Sequence, residues 1–341
     1  MNVNDHPHRY LIYGMVLGAN RPVANLVEAS TLAPVDVHLT LEPAASQAPI
    51  NAPEEVSHCA YDEHERRVFA VWKQPESDAA YLNINYNPDG GWAQFAISCD
   101  GRRLLARWGG TVHEEQVNTY LLGPVLGCLL RLRGVTPLHA GVVEIAGFAV
   151  AILGQKGAGK STLVSSLAVR GIPVLADDIA ALGEINSGFQ VTHGYPRTRQ
   201  WRQTLEALPG VEIDRLTRVL PTIEKYYIDL STDGAGGPWS FACSTLPLGA
   251  LYVVEMDDAP LDITDIPPGE RLFTLAANTY ADYLIEPADR AAEFDLLGRV
   301  ARSVPLRRLN RPRRLEHLQA TAERLLDDAH SLLASDRSEN R

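Results

Sequence analysis

The feature that most constrains the fold of this chain is a glycine-rich segment between an apolar run and a predicted helix. Residues 148–153 read FAVAIL, residues 154–162 read GQKGAGKST, and apolar periodicity predicts a helix from about Lys160 to Arg170. The glycine-rich segment satisfies the pattern G-x-x-x-x-G-K-[ST] in full. A strand that passes through such a loop into a helix is typical of α/β proteins, so the sequence predicts an α/β fold here.

The residue types of this loop suit the binding of phosphate. Its glycines let backbone N–H groups turn inward around an anion without a Cβ clash, and the helix directs its positive N-terminal end at the same point. Lys160 is placed to reach the β- and γ-phosphates of a nucleotide, and the Ser161 hydroxyl is placed to bind Mg²⁺. The predicted nucleotide-binding residues are Gly154, Gln155, Lys156, Gly157, Ala158, Gly159, Lys160, Ser161 and Thr162.

Two adjacent carboxylates follow the next predicted strand. The run IPVLA at 172–176 ends on Asp177 and Asp178, seventeen residues after Lys160. In a parallel sheet the carboxyl end of this strand lies at the ligand-binding edge, beside the phosphate loop. One acid is enough to hold Mg²⁺, which leaves the second to accept a proton from a substrate hydroxyl. The alternative is a solvated strand end, or an N-cap for the next turn.

Charge and cysteine content exclude several classes of protein. With 31 Lys and Arg against 42 Asp and Glu, the net charge of −11 disfavours binding to nucleic acid or to an anionic membrane surface. No run approaches the roughly 20 apolar residues that a membrane helix needs. The four cysteines are far apart and form no CxxC pair, which favours neither a disulfide framework nor a zinc site. We therefore expect a cytoplasmic protein.

Composition changes along the chain predict two domains. Segments 35–41, 67–72 and 92–98 alternate apolar with polar residues or carry β-branched and aromatic residues, as strands do. Residues 114–132 then form an apolar helical run that Gly123-Pro124 is expected to kink or split. The predicted division is a β-rich (α+β) N-terminal domain over 1–113, a nucleotide-binding catalytic domain over 114–334 and a disordered tail over 335–341.

Residues 138–182 resemble the core of the C-terminal domain of HPr serine kinase/phosphorylases. As in that family, a histidine (His139) precedes the phosphate loop, an Arg-Gly pair (170–171) ends the helix, and the next strand ends in Asp-Asp. The resemblance implies a P-loop kinase core that uses ATP and Mg²⁺, with Asp177 as the base for the acceptor hydroxyl. It also implies that Asp178 and His139 form a supporting pair at the metal and phosphate, with Asp178 and Ser161 as metal ligands.

The glycine-rich second signature of that family is replaced by HGYPRTRQW at 193–201. This segment is closer to divergent HPr kinase-like proteins, some of which accompany lasso peptides and phosphorylate a serine of the precursor. Arg197 is the better candidate there for stabilising transition-state charge, although a surface turn with ion-paired arginines is an equal alternative. Lys225 is placed either to reach phosphate or to flank a strand. Three aromatic residues either shape a pocket or pack in the core: Tyr195, Trp201 and Trp239.

Three functions remain open on the sequence. The first is an ATP-dependent kinase that phosphorylates a hydroxyl, most simply a serine of a peptide or small protein. The second is a small-molecule kinase on the same scaffold, and the third is a nucleotide-binding module or NTPase that transfers nothing. The absence of an N-K-x-D motif disfavours a GTPase. The N-terminal region either recognises a peptide by strand addition or mediates a homo-oligomer.

Overall fold

The chain, seen as a computed structural model, packs into two units. The structure describes residues 6–44, 49–75, 78, 81–185, 188–219, 223–231, 239–257, 260–284 and 287–339. The first unit is Met1–Val135 with Ala281–Ile285, and the second is Thr136–Tyr280 with Glu286–Arg341. Among the described residues, no helix combines the length and apolarity needed to cross a membrane.

The first unit is built on one sheet, in the order β3-β1-β2-β4-β9-β8-β7-β6-β5. Its strands pair antiparallel except at β2–β4 and β4–β9, which are parallel. The three strands predicted from alternation correspond to β4, β6 and β8. The bounds are β1 (His8–Ile12), β2 (Met15–Ala19), β3 (Val27–Glu28), β4 (Val37–Pro43), β5 (His58–Tyr61), β6 (Arg67–Lys73), β7 (Leu82–Tyr86), β8 (Gly91–Ile97) and β9 (Arg103–Gly110).

The apolar helical run belongs to this first unit, not to the second. It consists of α1 (Glu114–Tyr120), a π-helical turn (Leu121–Val125) and α2 (Leu126–Leu132). Pro124 lies inside the π-helical turn, so the predicted break is confirmed, because proline cannot continue the hydrogen-bond ladder. The Tyr120 ring stacks on Tyr86 of β7 with 3.9 Å between centroids. The division of the chain therefore falls after residue 135 and not at 113.

The second unit contains a mixed sheet in the order β10-β14-β15-β18-β12-β11-β13, with β20 beside β18 and β19 beside β20. The separate ribbon β16–β17 carries part of the site. Its strands and helices are β10 (Thr136–Leu138), β11 (Gly141–Ile145), β12 (Phe148–Leu153), α3 (Lys160–Ala168), β13 (Val174–Ala176), β14 (Ala180–Ile185), β15 (Gly188–Thr192), β16 (Arg197–Trp201), α4 (Arg202–Ala207), β17 (Lys225–Asp229), β18 (Thr245–Asp257), β19 (Asp262–Asp265), α5 (Pro268–Ala276), α6 (Pro287–Ser303), β20 (Leu306–Pro312) and α7 (Leu318–Glu339).

The alternation of side chains along β12 places this strand between two layers of helices. Val150 and Ile152 belong to a buried cluster that includes residues of α3 and α7. Ala149, Ala151 and Leu153 belong to a second cluster that includes residues of α5 and α6. Because successive side chains of a strand point to opposite faces, the fully apolar run FAVAIL is explained by burial on both faces.

The sheet beside the phosphate loop is mixed and not wholly parallel. The β11–β12 hairpin turns through Ala146-Gly147, both with positive φ, so it places an antiparallel strand between β12 and β13. Since β13 is antiparallel to β11, it runs in the same direction as β12. The ends of β12 and β13 therefore still lead to the same edge of the sheet.

At its C-terminal end the chain remains helical beyond the predicted boundary. Helix α7 runs to Glu339, through most of the segment 335–341 that was expected to be a tail. Leucines at helical spacing explain why the chain is helical before residue 335, since Leu318, Leu325 and Leu333 are buried against the sheet. The sequence DGAGGP at 233–238 also predicts a loop, and this segment lies outside the described residues.

Candidate active site

The phosphate loop has the backbone conformation that its glycines predict. Gly154, Gly157 and Gly159 have φ values of 143°, 88° and 87°, in the region that disfavours residues with a Cβ. Gly159 is the N-cap of α3. The Gly154 N–H donates a hydrogen bond of 2.9 Å to Asn278 Oδ1, and Asn278 Nδ2 donates to Thr274 O of α5. The beginning of the loop is thus fixed to the end of a neighbouring helix.

Lys160 is held within the curve of this loop. Its side chain is buried, and Nζ donates a hydrogen bond of 2.6 Å to the Gly154 carbonyl. Burial lowers the pKa of Lys160, an effect that the carboxylates of Asp178 and Asp177 partly oppose. The ammonium group is therefore placed where the phosphates of a nucleotide would lie.

A cleft of about 730 Å³ opens in front of the loop and is strongly basic, although the whole chain carries −11. Asp178 contributes a carboxylate to its wall, beside His139, Ser161 and Thr162. The cationic side chains that line it among the described residues are Lys156, Lys160, Arg199, Lys225, Arg311 and Arg313. Such a concentration of positive charge around a phosphate loop favours a polyanionic ligand.

The two adjacent acids lie in different environments. Asp177 is only 3% exposed, and its Oδ1 has no hydrogen-bond partner among the described residues. Burial and the neighbouring Asp178 charge raise the pKa of Asp177 to about 6. Burial would also raise the pKa of Asp178, but the charges of Arg199 and His139 outweigh this effect and lower it. This separation is typical of an acid that can exchange a proton beside one that stays ionised.

Arg199 of β16 connects the two acids. Its backbone N–H donates to Asp177 Oδ2 at 3.1 Å, and its guanidinium donates to Asp178 Oδ2. The sequence offered Arg197 as the better candidate for this region. The Arg197 guanidinium instead lies 4.0 Å from the centroid of the Tyr227 ring, while Arg199 lines the cleft.

These environments predict opposite effects of two neighbouring substitutions on the metal-free protein. A carboxyl whose folded-state pKa exceeds its unfolded value destabilises the fold above the folded pKa. Asp177→Asn should therefore raise the free energy of unfolding by about 1 to 3 kcal/mol at pH 7. The gain should shrink between about pH 6 and pH 4, because the wild-type carboxyl becomes protonated there.

Asp178→Asn is the matched control, because it leaves the partly buried Arg199 guanidinium without its ion-pair partner. We expect it to lower the free energy of unfolding by about 1 to 2 kcal/mol at pH 7. Urea unfolding of both variants between pH 4 and pH 7.5, in the presence of a chelator, measures the two effects. A loss of stability in Asp177→Asn would contradict the environment assigned to Asp177.

Of the other residues singled out from the sequence, some line the cleft and others pack in the core. The His139 N–H donates to Asn278 O at 2.7 Å, and the His139 ring lines the cleft. Lys225 also lines the cleft, with Nζ 5.6 Å from the Trp201 ring centroid. Tyr195 is buried, and Trp239 packs against a core cluster, so the core interpretation holds for both.

The residues present fit a magnesium–nucleotide complex. Ser161 and Asp178 line the same cleft, and they supply the hydroxyl and carboxylate oxygens that Mg²⁺ prefers. In the part of the chain that the structure describes, no group of three or more His, Cys, Asp or Glu could hold a metal. Mg²⁺ in such sites is bound by one or two protein oxygens together with substrate phosphates, so a larger cluster is not required.

Three further residues of the site were not predicted from the sequence, whereas Arg199 was offered in the segment 193–201 as the lesser alternative to Arg197. Arg311 and Arg313 line the cleft, and Asn278 fixes the loop. Each comes from a segment distant in sequence from the loop, and no local motif marks it. The RPRR run at 311–314 was the one available signal, since clustered arginines favour anion sites.

No family model matches the sequence, and no curated protein matches it. One solved structure with some similarity is the HPr(Ser) kinase/phosphatase from Coxiella burnetii, at 14% sequence identity and a TM-score of 0.30. The similarity covers 58% of this chain and 98% of that protein. It is a weak similarity to a kinase/phosphatase.

Proposed function

We propose that this protein is an ATP- and Mg²⁺-dependent kinase that transfers the γ-phosphoryl group to a hydroxyl. The observation that carries the proposal is the cleft, where the phosphate loop, several cationic side chains and Asp178 meet, with Asp177 buried next to Asp178 and bound to the Arg199 backbone. A protein that only binds nucleotide needs the loop and one metal-binding acid. A buried second carboxylate with a raised pKa is costly to folding, and a role in proton transfer would account for it.

In the proposed mechanism the phosphates of the nucleotide bind at the loop and the nucleoside lies in a neighbouring cavity. A second cavity of about 540 Å³ is lined by residues 154–158, residues 253–256 of β18 and Ala277, and it would take the nucleoside. The backbone N–H groups and Lys160 would bind the phosphates, with Mg²⁺ held by Ser161 and Asp178. When bound, the metal neutralises charge on the phosphates.

The chain's own residues would then perform the transfer. Asp177 would accept the proton of the acceptor hydroxyl as its oxygen attacks the γ-phosphorus. Arg199 and Lys225 would stabilise the negative charge that develops on the transferring oxygens. His139 and Asp178 would form a supporting pair at the metal and the phosphate. Because Asp177 is buried, its carboxylate must turn toward the cleft for this step, and Oδ1, which has no hydrogen-bond partner among the described residues, is the oxygen that would take the proton.

We propose a serine of a peptide or small protein as the acceptor. Trp201 is 48% exposed at the mouth of the cleft and offers an apolar surface to a flexible chain. In the first unit, β5 forms one edge of the sheet and its side chains are largely exposed, which suits strand addition by a peptide.

Intact-mass measurement of candidate acceptors after incubation with the protein, Mg²⁺ and ATP tests the proposal. The candidates are a precursor peptide encoded near this gene, HPr and a pool of hydroxy metabolites and sugars, each with an Asp177→Asn control. We expect one peptide or protein to gain about 80 Da, and the control to show no gain. A gain on a metabolite instead would favour a small-molecule kinase.

ATP hydrolysis without a phosphorylated acceptor would contradict the kinase proposal and favour an NTPase. The same experiment measures this outcome if released phosphate is quantified beside the mass spectra. A homo-oligomer is compatible with either result.

A further inference from the structure

Three arginines on strand β20 differ in their partners. Arg307 forms ion pairs with Asp265 and Asp328, and Arg308 forms ion pairs with Glu255 and Glu270. Arg311 is 1% exposed and forms no ion pair of this kind among the described residues. Its Nη1 has no hydrogen-bond partner there, and Nε makes only a long contact of 3.4 Å with the Pro312 carbonyl.

An unpaired guanidinium in such a position is costly to folding. A buried charge loses its hydration, and only a counter-charge or hydrogen bonds compensate for that loss. Burial accordingly lowers the pKa of Arg311, although arginine remains protonated in proteins. Neither of the other two arginines on the strand carries such an uncompensated charge, so the position of Arg311 requires a separate explanation.

The contact between Arg311 and the phosphate loop supplies that explanation. A Cβ added at Gly159 would overlap Arg311 Nη1, so the guanidinium packs directly on the last glycine of the phosphate loop. Arg311 also lines the cleft beside Lys160. Glycine at 159 thus has two roles, since it accepts a φ of 87° and leaves room for this guanidinium.

We propose that Arg311 is a further phosphate-binding residue, whose Nη1, without a hydrogen-bond partner among the described residues, binds a phosphate oxygen of the nucleotide on the loop. This inference rests on the proposed function, because it requires a polyphosphate at the loop. Lys160 would approach the phosphates from inside the loop, and Arg311 would approach them across Gly159. The ligand would provide the counter-charge that the described part of the chain does not.

Calorimetric titration of Mg·ATP and of inorganic pyrophosphate tests this inference in wild type, Arg311→Met and Arg311→Lys. The control is Arg308→Met, which removes an ion-paired arginine from the same strand. Loss of a charge-assisted hydrogen bond should weaken both ligands about 10- to 100-fold in Arg311→Met. Arg311→Lys should be weakened less, and Arg308→Met should bind like wild type.

Thermal unfolding without ligand separates ligand binding from a structural role. Removal of an uncompensated buried charge should leave Arg311→Met with a melting temperature equal to or above that of wild type. Wild-type affinity in Arg311→Met would overturn the inference while leaving the kinase proposal intact, and so would unfolding of both Arg311 variants. If the wild-type protein binds neither Mg·ATP nor pyrophosphate, the proposed function fails together with the inference about Arg311.

Discussion

Asp177→Asn is expected to lower turnover by about 10²- to 10⁴-fold, which is the usual contribution of a general base. Affinity for Mg·ATP should stay within a few-fold of wild type, because Asp177 does not line the cleft and Asp178 does. An asparagine keeps the shape of the side chain and still accepts the Arg199 backbone N–H, so the acid pair is perturbed only in its ability to take a proton. Steady-state turnover on the acceptor, with a separate nucleotide titration, measures both quantities.

Asp178→Asn separates the roles of the two acids. If Asp178 holds the metal, this variant should weaken Mg²⁺-dependent nucleotide binding as well as turnover. If instead Asp178→Asn keeps its affinity for nucleotide and loses turnover, while Asp177→Asn loses affinity, then Asp178 is the base and Asp177 holds the metal. Unchanged turnover in Asp177→Asn would remove Asp177 from the mechanism altogether.

Asp177→Asn is expected both to stabilise the fold and to abolish most of the activity. This opposition is typical of catalytic groups, because a carboxyl that is poised to exchange a proton is held in an environment that disfavours its charge. The neighbouring Asp178 has a counter-charge in Arg199 and contributes to stability in the ordinary way. Two adjacent residues of one type therefore differ because of what surrounds them.

The parts of the site that could be predicted from the sequence are those encoded locally. A glycine requirement at positive φ, a lysine at the start of a helix and an acid at the end of a strand all follow from residues adjacent in the chain. The β11–β12 hairpin is encoded in the same local way, since its turn residues lie between two apolar runs. The sequence prediction of a division at 113 differs from the two units, which part after Val135, because the assignment of the apolar helices depends on the surface that they cover.

The parts that could not be predicted depend on pairing between distant segments. Arg197 and Arg199 are two residues apart on β16, and the register against β17 sets Asp229 opposite Arg197 and Tyr227 opposite Arg199. The sequence does not reveal that the Arg197 guanidinium reaches diagonally to the Tyr227 ring while the Arg199 guanidinium binds Asp178. Arg311 reaches the loop because β20 pairs in parallel with β18, which in turn pairs with β12. No periodicity within 306–312 distinguishes an ion-paired arginine from an unpaired one.

Lys160→Ala is expected to weaken Mg·ATP binding and to lower turnover by about 10²- to 10³-fold, as loss of a charge-stabilising donor does. Nζ now donates to the Gly154 carbonyl, and this bond would be exchanged for bonds to phosphate oxygens when nucleotide binds. Removing the side chain therefore loses the stronger interactions with the nucleotide while costing the unliganded fold little.

Thermal unfolding with and without Mg·ATP checks this account of Lys160. At a ligand concentration of about 100 Kd, wild type should gain about 2.7 kcal/mol of stability, whereas Lys160→Ala should gain almost none at the same concentration. Lys160→Arg is the control, because it keeps the charge but carries a bulkier, planar group into a loop of fixed curvature. It should recover part of the binding and less of the turnover, since transfer requires the cation at one position relative to the γ-phosphate. Equal stabilisation of all three proteins by Mg·ATP would place the nucleotide away from this loop and would contradict the proposed site.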